Sequence, residues 1–101
     1  MKILGLACSA FMIAAAGAPS AVAYSGQELE RTVKVDMGRA TAIALKARPG
    51  KITDRELERE GGGSGLRYSF DVRSRGVTYE VGIDAMTGRV LENQREGAHP
   101  D

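Results

Sequence analysis

The sequence predicts an α+β domain in which one main helix packs on a three- to four-stranded antiparallel sheet. Three observations lead there. Met37, Ala40, Ile43, Ala44 and Ala47 recur at helical spacing behind Asp36, a residue suited to capping a helix N-terminus. Leu66, Tyr68, Phe70 and Val72 alternate with polar residues, and Val77, Tyr79, Val81 and Ile83 do so again. Turn-forming stretches separate these pieces: Pro49-Gly50, Ser74-Arg75-Gly76 and Asp84–Gly88.

The chain opens with Met1-Lys2, an apolar run from Ile3 to Ala16, then Gly17, Pro19 and Ala21-Val22-Ala23. A charged start, a short apolar core and an A-x-A ending mark a secretory signal peptide with cleavage after Ala23. A membrane span needs about 20 apolar residues, and Gly17, Pro19 and Ser20 interrupt this run too early. Cys8 follows Gly5-Leu6-Ala7, which lacks a leucine three places upstream, so a lipidated cysteine is not expected and Cys8 leaves with the signal. The chain therefore divides into a signal peptide (1–23), a lead-in (24–34), a domain (35–92) and a loose polar tail (93–101).

Each element has its own local reason. Ser25 and Glu28 have capping-box spacing, and Leu29 and Val33 lie one helical turn apart, which suggests a short helical lead-in. The main helix follows Asp36 and stops at Pro49-Gly50, since proline disfavours helical geometry at Arg48. Thr53–Glu60 is ambiguous. Its capping-box spacing and strong helix formers read as helix. As a strand it places Asp54, Glu56, Glu58 and Glu60 on one face and Arg55, Leu57 and Arg59 on the other, with Leu57 its sole core candidate. Such a strand suits a charged sheet edge. Gly61–Gly65 reads as a flexible loop.

The two alternating runs form a hairpin with one apolar and one polar face. A two-residue Arg75-Gly76 turn would set Asp71 opposite Glu80, where like charges repel; a wider loop around Ser74-Arg75 would avoid that. Asp84 is placed to accept amides of the next turn, Gly88 to supply its left-handed position, and Val90 to continue the core face.

Ala40–Gly50 (ATAIALKARPG), Leu66–Val72 (LRYSFDV) and Tyr79–Val90 (YEVGIDAMTGRV), in that order, resemble the PepSY domain. The resemblance runs from about Val35 to Leu91. It implies a helix laid on an antiparallel sheet and favours the strand reading of Thr53–Glu60. PepSY domains occur in propeptides of secreted metallopeptidases, where they restrain the enzyme, in membrane proteins, and as small exported proteins. The chain is expected to carry the domain alone, so the propeptide role does not transfer directly, and the family offers no shared catalytic residues to carry over.

Composition narrows the function classes. Without Lys2, 13 basic residues stand against 13 acidic ones, and no cysteine follows Cys8. No charge excess attracts nucleic acid or membrane, and no disulfide staples the domain. Its length supports one domain with a small core. Catalysis is not expected: there is no histidine before His99 and no G-x-S-x-G around any serine, and Gly61–Gly65 lacks the Lys-Ser/Thr ending of a phosphate loop. No metal or cofactor is expected, because a strand points the Asp54–Glu60 carboxylates in parallel rather than at one ion. The remaining function is binding, with Arg67, Asp71, Arg73 and Glu80 on the polar face as candidate partner contacts. The chain is expected to be a periplasmic or secreted, non-catalytic module that binds or inhibits a protein or peptide partner of the cell envelope, such as a peptidase. The alternative is a small-ligand or cation-binding envelope sensor.

Overall fold

The computed structural model describes residues 23–97; residues 1–22, where nearly all of the expected signal peptide and Cys8 fall, and residues 98–101 with His99 lie outside that range. A 3₁₀ helix (Gln27–Thr32) leads to helix α1 (Met37–Ala47), followed by strands β1 (Lys51–Arg59), β2 (Leu66–Ser74), β3 (Val77–Asp84) and β4 (Val90–Arg95). The strands form one antiparallel sheet in the order β1-β2-β3-β4. The α+β architecture predicted from periodicity is the one formed.

Helix α1 starts where Asp36 Oδ1 accepts the Arg39 amide at 2.8 Å. It ends at Arg48, whose amide still reaches Ala44 O at 2.8 Å, before Pro49. Ala40 and Ala44 are fully buried, and their small side chains let the helix lie close over β2, β3 and β4. Under it the sheet presents Leu57, Tyr68, Phe70, Val72, Val81 and Ile83, all buried. The Tyr68 and Phe70 rings stack with centroids 6.4 Å apart. The Tyr68 hydroxyl donates to Val35 O at 2.6 Å, so its polar tip is satisfied inside the core.

Residues 53–59 are strand, within β1, and Glu60 lies just past its end. Their local helix propensity yields to pairing with β2, which buries Leu57 and leaves Arg55 and Arg59 on the same side. The β2–β3 hairpin takes the tight turn: Ser74 pairs with Val77, and Arg75 and Gly76 have φ of 54° and 80°. Both positions require positive φ in a type I′ turn, whose twist suits the flanking strands. Asp71 therefore does face Glu80. At the far end of β3, Asp84 Oδ1 accepts the Met86 amide at 2.8 Å and the Thr87 amide at 3.0 Å. Gly88 closes this turn with φ 82°.

Four local expectations are corrected. The Ser25–Glu28 capping box does not form: Gly26 is the N-cap, no side chain caps the turn, and Ser25 instead pairs with Glu56 along the edge of β1. The Gly61–Gly65 loop is tied down, since the Ser64 amide donates to Asp84 Oδ2 at 2.6 Å. Val90 does not extend the core; it stands opposite Ile83 at the sheet edge, 43 % exposed. The polar tail starts later than residue 93, because Asn93, Gln94 and Arg95 belong to β4. Asn93 holds the helix end, donating to Ala47 O at 3.2 Å and accepting from Arg48 Nε at 3.1 Å. A strand fixed by polar clasps rather than apolar residues carries no hydrophobic alternation to reveal it.

Candidate functional site: the open face of the sheet

Helix α1 covers one side of the sheet, and no element among the described residues covers the other. The strand period of two sends every second residue there, and pairing aligns them in rows. One row sets Glu58 beside Arg67 and Asp84; the next holds Glu56, Ser69, Gly82 and Glu92; a third holds Asp54, Asp71, Glu80 and Gln94. Glu56, Glu58, Asp71, Glu80 and Glu92 line a shallow concavity of about 300 Å³, with Ser69 among them.

The four predicted contact residues fare differently. Asp71 and Glu80 are half-buried and directly opposed, while Arg73 is exposed beside Lys51 and Thr78. Arg67 is not a free surface residue: it is 8 % exposed and lies flat on the sheet. Its Nη1 is 3.2 Å from Glu92 Oε1 and 3.6 Å from Glu60 Oε2. Glycine at position 82 makes room for it, since a Cβ there would sit 3.1 Å from Arg67 Cδ. Arg67 Nε is buried with no hydrogen-bond acceptor.

The acidity of this face was missed in the sequence, because the carboxylates come from all four strands and their sum is hidden by an evenly charged chain. Glu96 was assigned to the tail and Glu92 to the last position of the domain, yet Glu92 pairs with Gly82, and one carboxylate oxygen each from Asp71, Glu80 and Glu96 lie within 4.8 Å of one another. The signal that could have found the face is the i, i+2 spacing of Asp54, Glu56, Glu58 and Glu60 combined with the strand reading.

Burial and crowding shift the acids. Partial burial pushes the Glu56, Asp71 and Glu80 carboxyls up from their ordinary range. Neighbouring charge adds to it: Glu58 and Asp54 act on Glu56, Glu96 and Asp54 on Asp71, and Glu92 and Asp71 on Glu80. Glu60 is raised chiefly by its hydrogen bond to Glu58, with Arg67 pulling the other way. Asp84 behaves oppositely. Burial would raise it, but the Ser64, Met86 and Thr87 amides outweigh burial and hold it at about 2. It is a structural carboxylate committed to two loops.

Within the concavity the Ser69 hydroxyl donates to Glu58 Oε2 at 2.6 Å, and no histidine or cysteine stands among the described residues. What the arrangement offers is a concave, negatively charged sheet surface on a small helix-backed domain, the layout of a binding module. The chain matches the family model of the PepSY domain, described as the peptidase propeptide and YPEB domain, over residues 34–93. This chain belongs to the PepSY family. Domains of this family are generally non-catalytic propeptide or inhibitor modules, typically of extracellular or envelope proteins. Comparisons with curated proteins and with solved structures returned no match. No helix among the described residues is long and apolar enough to cross a membrane.

Proposed function

We propose that this chain is an exported, non-catalytic PepSY module that acts in the periplasm or outside the cell by binding a protein partner, with a secreted or membrane-bound peptidase as the first candidate. The observation that carries this reading is the uncovered side of the sheet, where Asp71 and Glu80 face each other within a concavity instead of being dispersed. Antiparallel sheets commonly leave one face to solvent, and such a face is available for recognition without disturbing the core. Residues 24–101, titrated into a peptide-cleavage assay of a peptidase encoded beside this gene, should slow cleavage saturably and co-elute with the enzyme. Unaltered cleavage together with separate elution would remove the peptidase from the reading.

A cation-binding sensor is the second reading, favoured by the convergence of Asp71, Glu80 and Glu96 within 4.8 Å. Hard cations such as calcium take oxygen ligands of this kind. A rise in melting temperature at micromolar calcium would support it against pure protein interaction; no response at millimolar calcium would discard it.

A further inference from the structure

We infer that the open sheet face receives a lysine- and arginine-rich extended segment of the partner protein; this rests on the partner-binding reading above and adds the chemistry of what is bound. The sheet sorts a charge-balanced chain into unlike sides. Along β1, Arg55 and Arg59 turn with Leu57 toward the helix side while Asp54, Glu56 and Glu58 turn to the open side. The helix side also carries Arg39 and Lys46 on α1 and Arg48 at its C-terminal cap. The open side is left with far more carboxylates than cations.

The cations on that side cannot balance it. Arg67 is pinned between Glu60 and Glu92, nine-tenths buried, with Nε lacking an acceptor. Arg73 stands beside Lys51 and Thr78, one row beyond the acidic rows. Burial first, and then the neighbouring acids, raise the Glu56, Asp71 and Glu80 carboxyls on this side. A bound partner that supplies cations removes the repulsion the isolated fold carries.

Geometry favours an extended basic segment over the other occupants. Alternate side chains of an extended chain lie about 7 Å apart, the spacing of successive carboxylates along a strand, and neighbouring strands lie about 4.8 Å apart. Ammonium and guanidinium groups at that period meet a carboxylate at each step across the concavity. A single divalent ion engages only Asp71, Glu80 and Glu96 and leaves the Glu56, Glu58 and Glu92 part of the surface unmatched. A second copy of this chain would have to offer its helix side, where Arg48 is already engaged by the Tyr79 ring at 3.9 Å and by Asn93.

The test uses residues 24–101, a hexalysine peptide as probe, a hexaglutamate peptide as control, and the isosteric double variant Asp71→Asn/Glu80→Gln. Wild type should bind hexalysine, with amide shifts at Ser69, Gly82 and Gln94, and should ignore hexaglutamate. The double variant should bind at least about fivefold more weakly, since two attractive charges are gone, and added salt should weaken wild type further. An unchanged or higher melting temperature of the variant shows that it is folded, and Arg39→Ala on the helix should bind like wild type. Equal binding by wild type and the double variant overturns the inference, as do shifts confined to the helix side. Self-association that the double variant abolishes makes a second copy the occupant and overturns it too. Saturation by micromolar calcium without a hexalysine response assigns the face to a cation instead. If the double variant inhibits the peptidase as well as wild type does, this inference falls while the partner reading stands. If hexalysine binds and no peptidase responds, the peptidase falls and the basic-segment inference stands.

Discussion

Along β2, Tyr68, Phe70 and Val72 turn to helix α1 and are almost wholly buried, while Ser69, Asp71 and Arg73 turn away and stay half-buried or exposed. The two sides of the sheet share a backbone and a register but hold opposite chemistry. On the helix side, apolar area leaves water and the buried Tyr68 hydroxyl has a partner. On the open side, carboxylates are gathered against their mutual repulsion, and a nine-tenths buried arginine keeps one donor unmatched. Most of the stability resides on the first side. On the second, Asp84 supports the fold through three amides, while the crowded Glu56, Asp71 and Glu80 oppose it slightly, the usual relation between a scaffold and a recognition surface.

Substitutions can break or sharpen this contrast. The largest effect is expected for Phe70→Ala, which empties a fully buried aromatic site and should cost about 3 kcal/mol or more in urea unfolding. Near-neutral stability would mean that the assignment of sides is wrong. Asp84→Ala should come next, at about 2 kcal/mol at pH 7, because three amides lose a charged acceptor inside the structure. Asp84 is lowered from 3.8 to about 2, so its contribution is complete above pH 3.8 and fades as pH falls toward 2. The gap in melting temperature between wild type and Asp84→Ala should close over that window; a constant gap would deny the carboxylate its role.

Gly88→Val should cost more than about 1 kcal/mol, since a β-branched residue resists positive φ. Position 88 has φ 82°, and a Cβ there would lie 3.3 Å from Ile43 Cδ1. An unchanged melting temperature would refute that turn. The smallest effect belongs to the open side and carries the opposite sign: Glu80→Gln should stabilise by a few tenths of a kcal/mol at pH 7. The raised carboxyls of Glu56, Asp71 and Glu80 bind protons more readily folded than unfolded. Their stabilising protonation is complete below the ordinary carboxylate range and lost as pH rises through the raised values. Wild-type stability should therefore increase on acidification from neutral pH, before Asp84 reverses the trend below pH 3.8. A flat profile between neutral pH and about pH 5 would show that the open side is fully relaxed.

Much of this contrast was legible beforehand. Helix α1, the β2–β3 hairpin and the Asp84–Gly88 turn each announce themselves through local causes: an N-cap, a period of two, a residue that must accept amides. Of the four candidate contacts, Asp71, Arg73 and Glu80 stand on the open side as their alternation requires. Arg67 shares that side but is folded down beneath Glu60 and Glu92, and alternation has no means of distinguishing a side chain that stands up from one that lies flat.

The amino-acid sequence by itself determined which residues face the helix and which face away, because the strand period and the helix period are properties of the chain. Tertiary pairing alone decided the rest. It made residues 53–59 a strand against their helix propensity, selected the tight Arg75-Gly76 turn despite the Asp71–Glu80 pair, and drew Asn93–Arg95 into the sheet through polar clasps. It also concentrated charge: four strands, each unremarkable in net charge, bring their acids to one surface only when the sheet forms. Net charge is a sum along the chain, whereas an electrostatic surface depends on distance, and distance exists only in the fold.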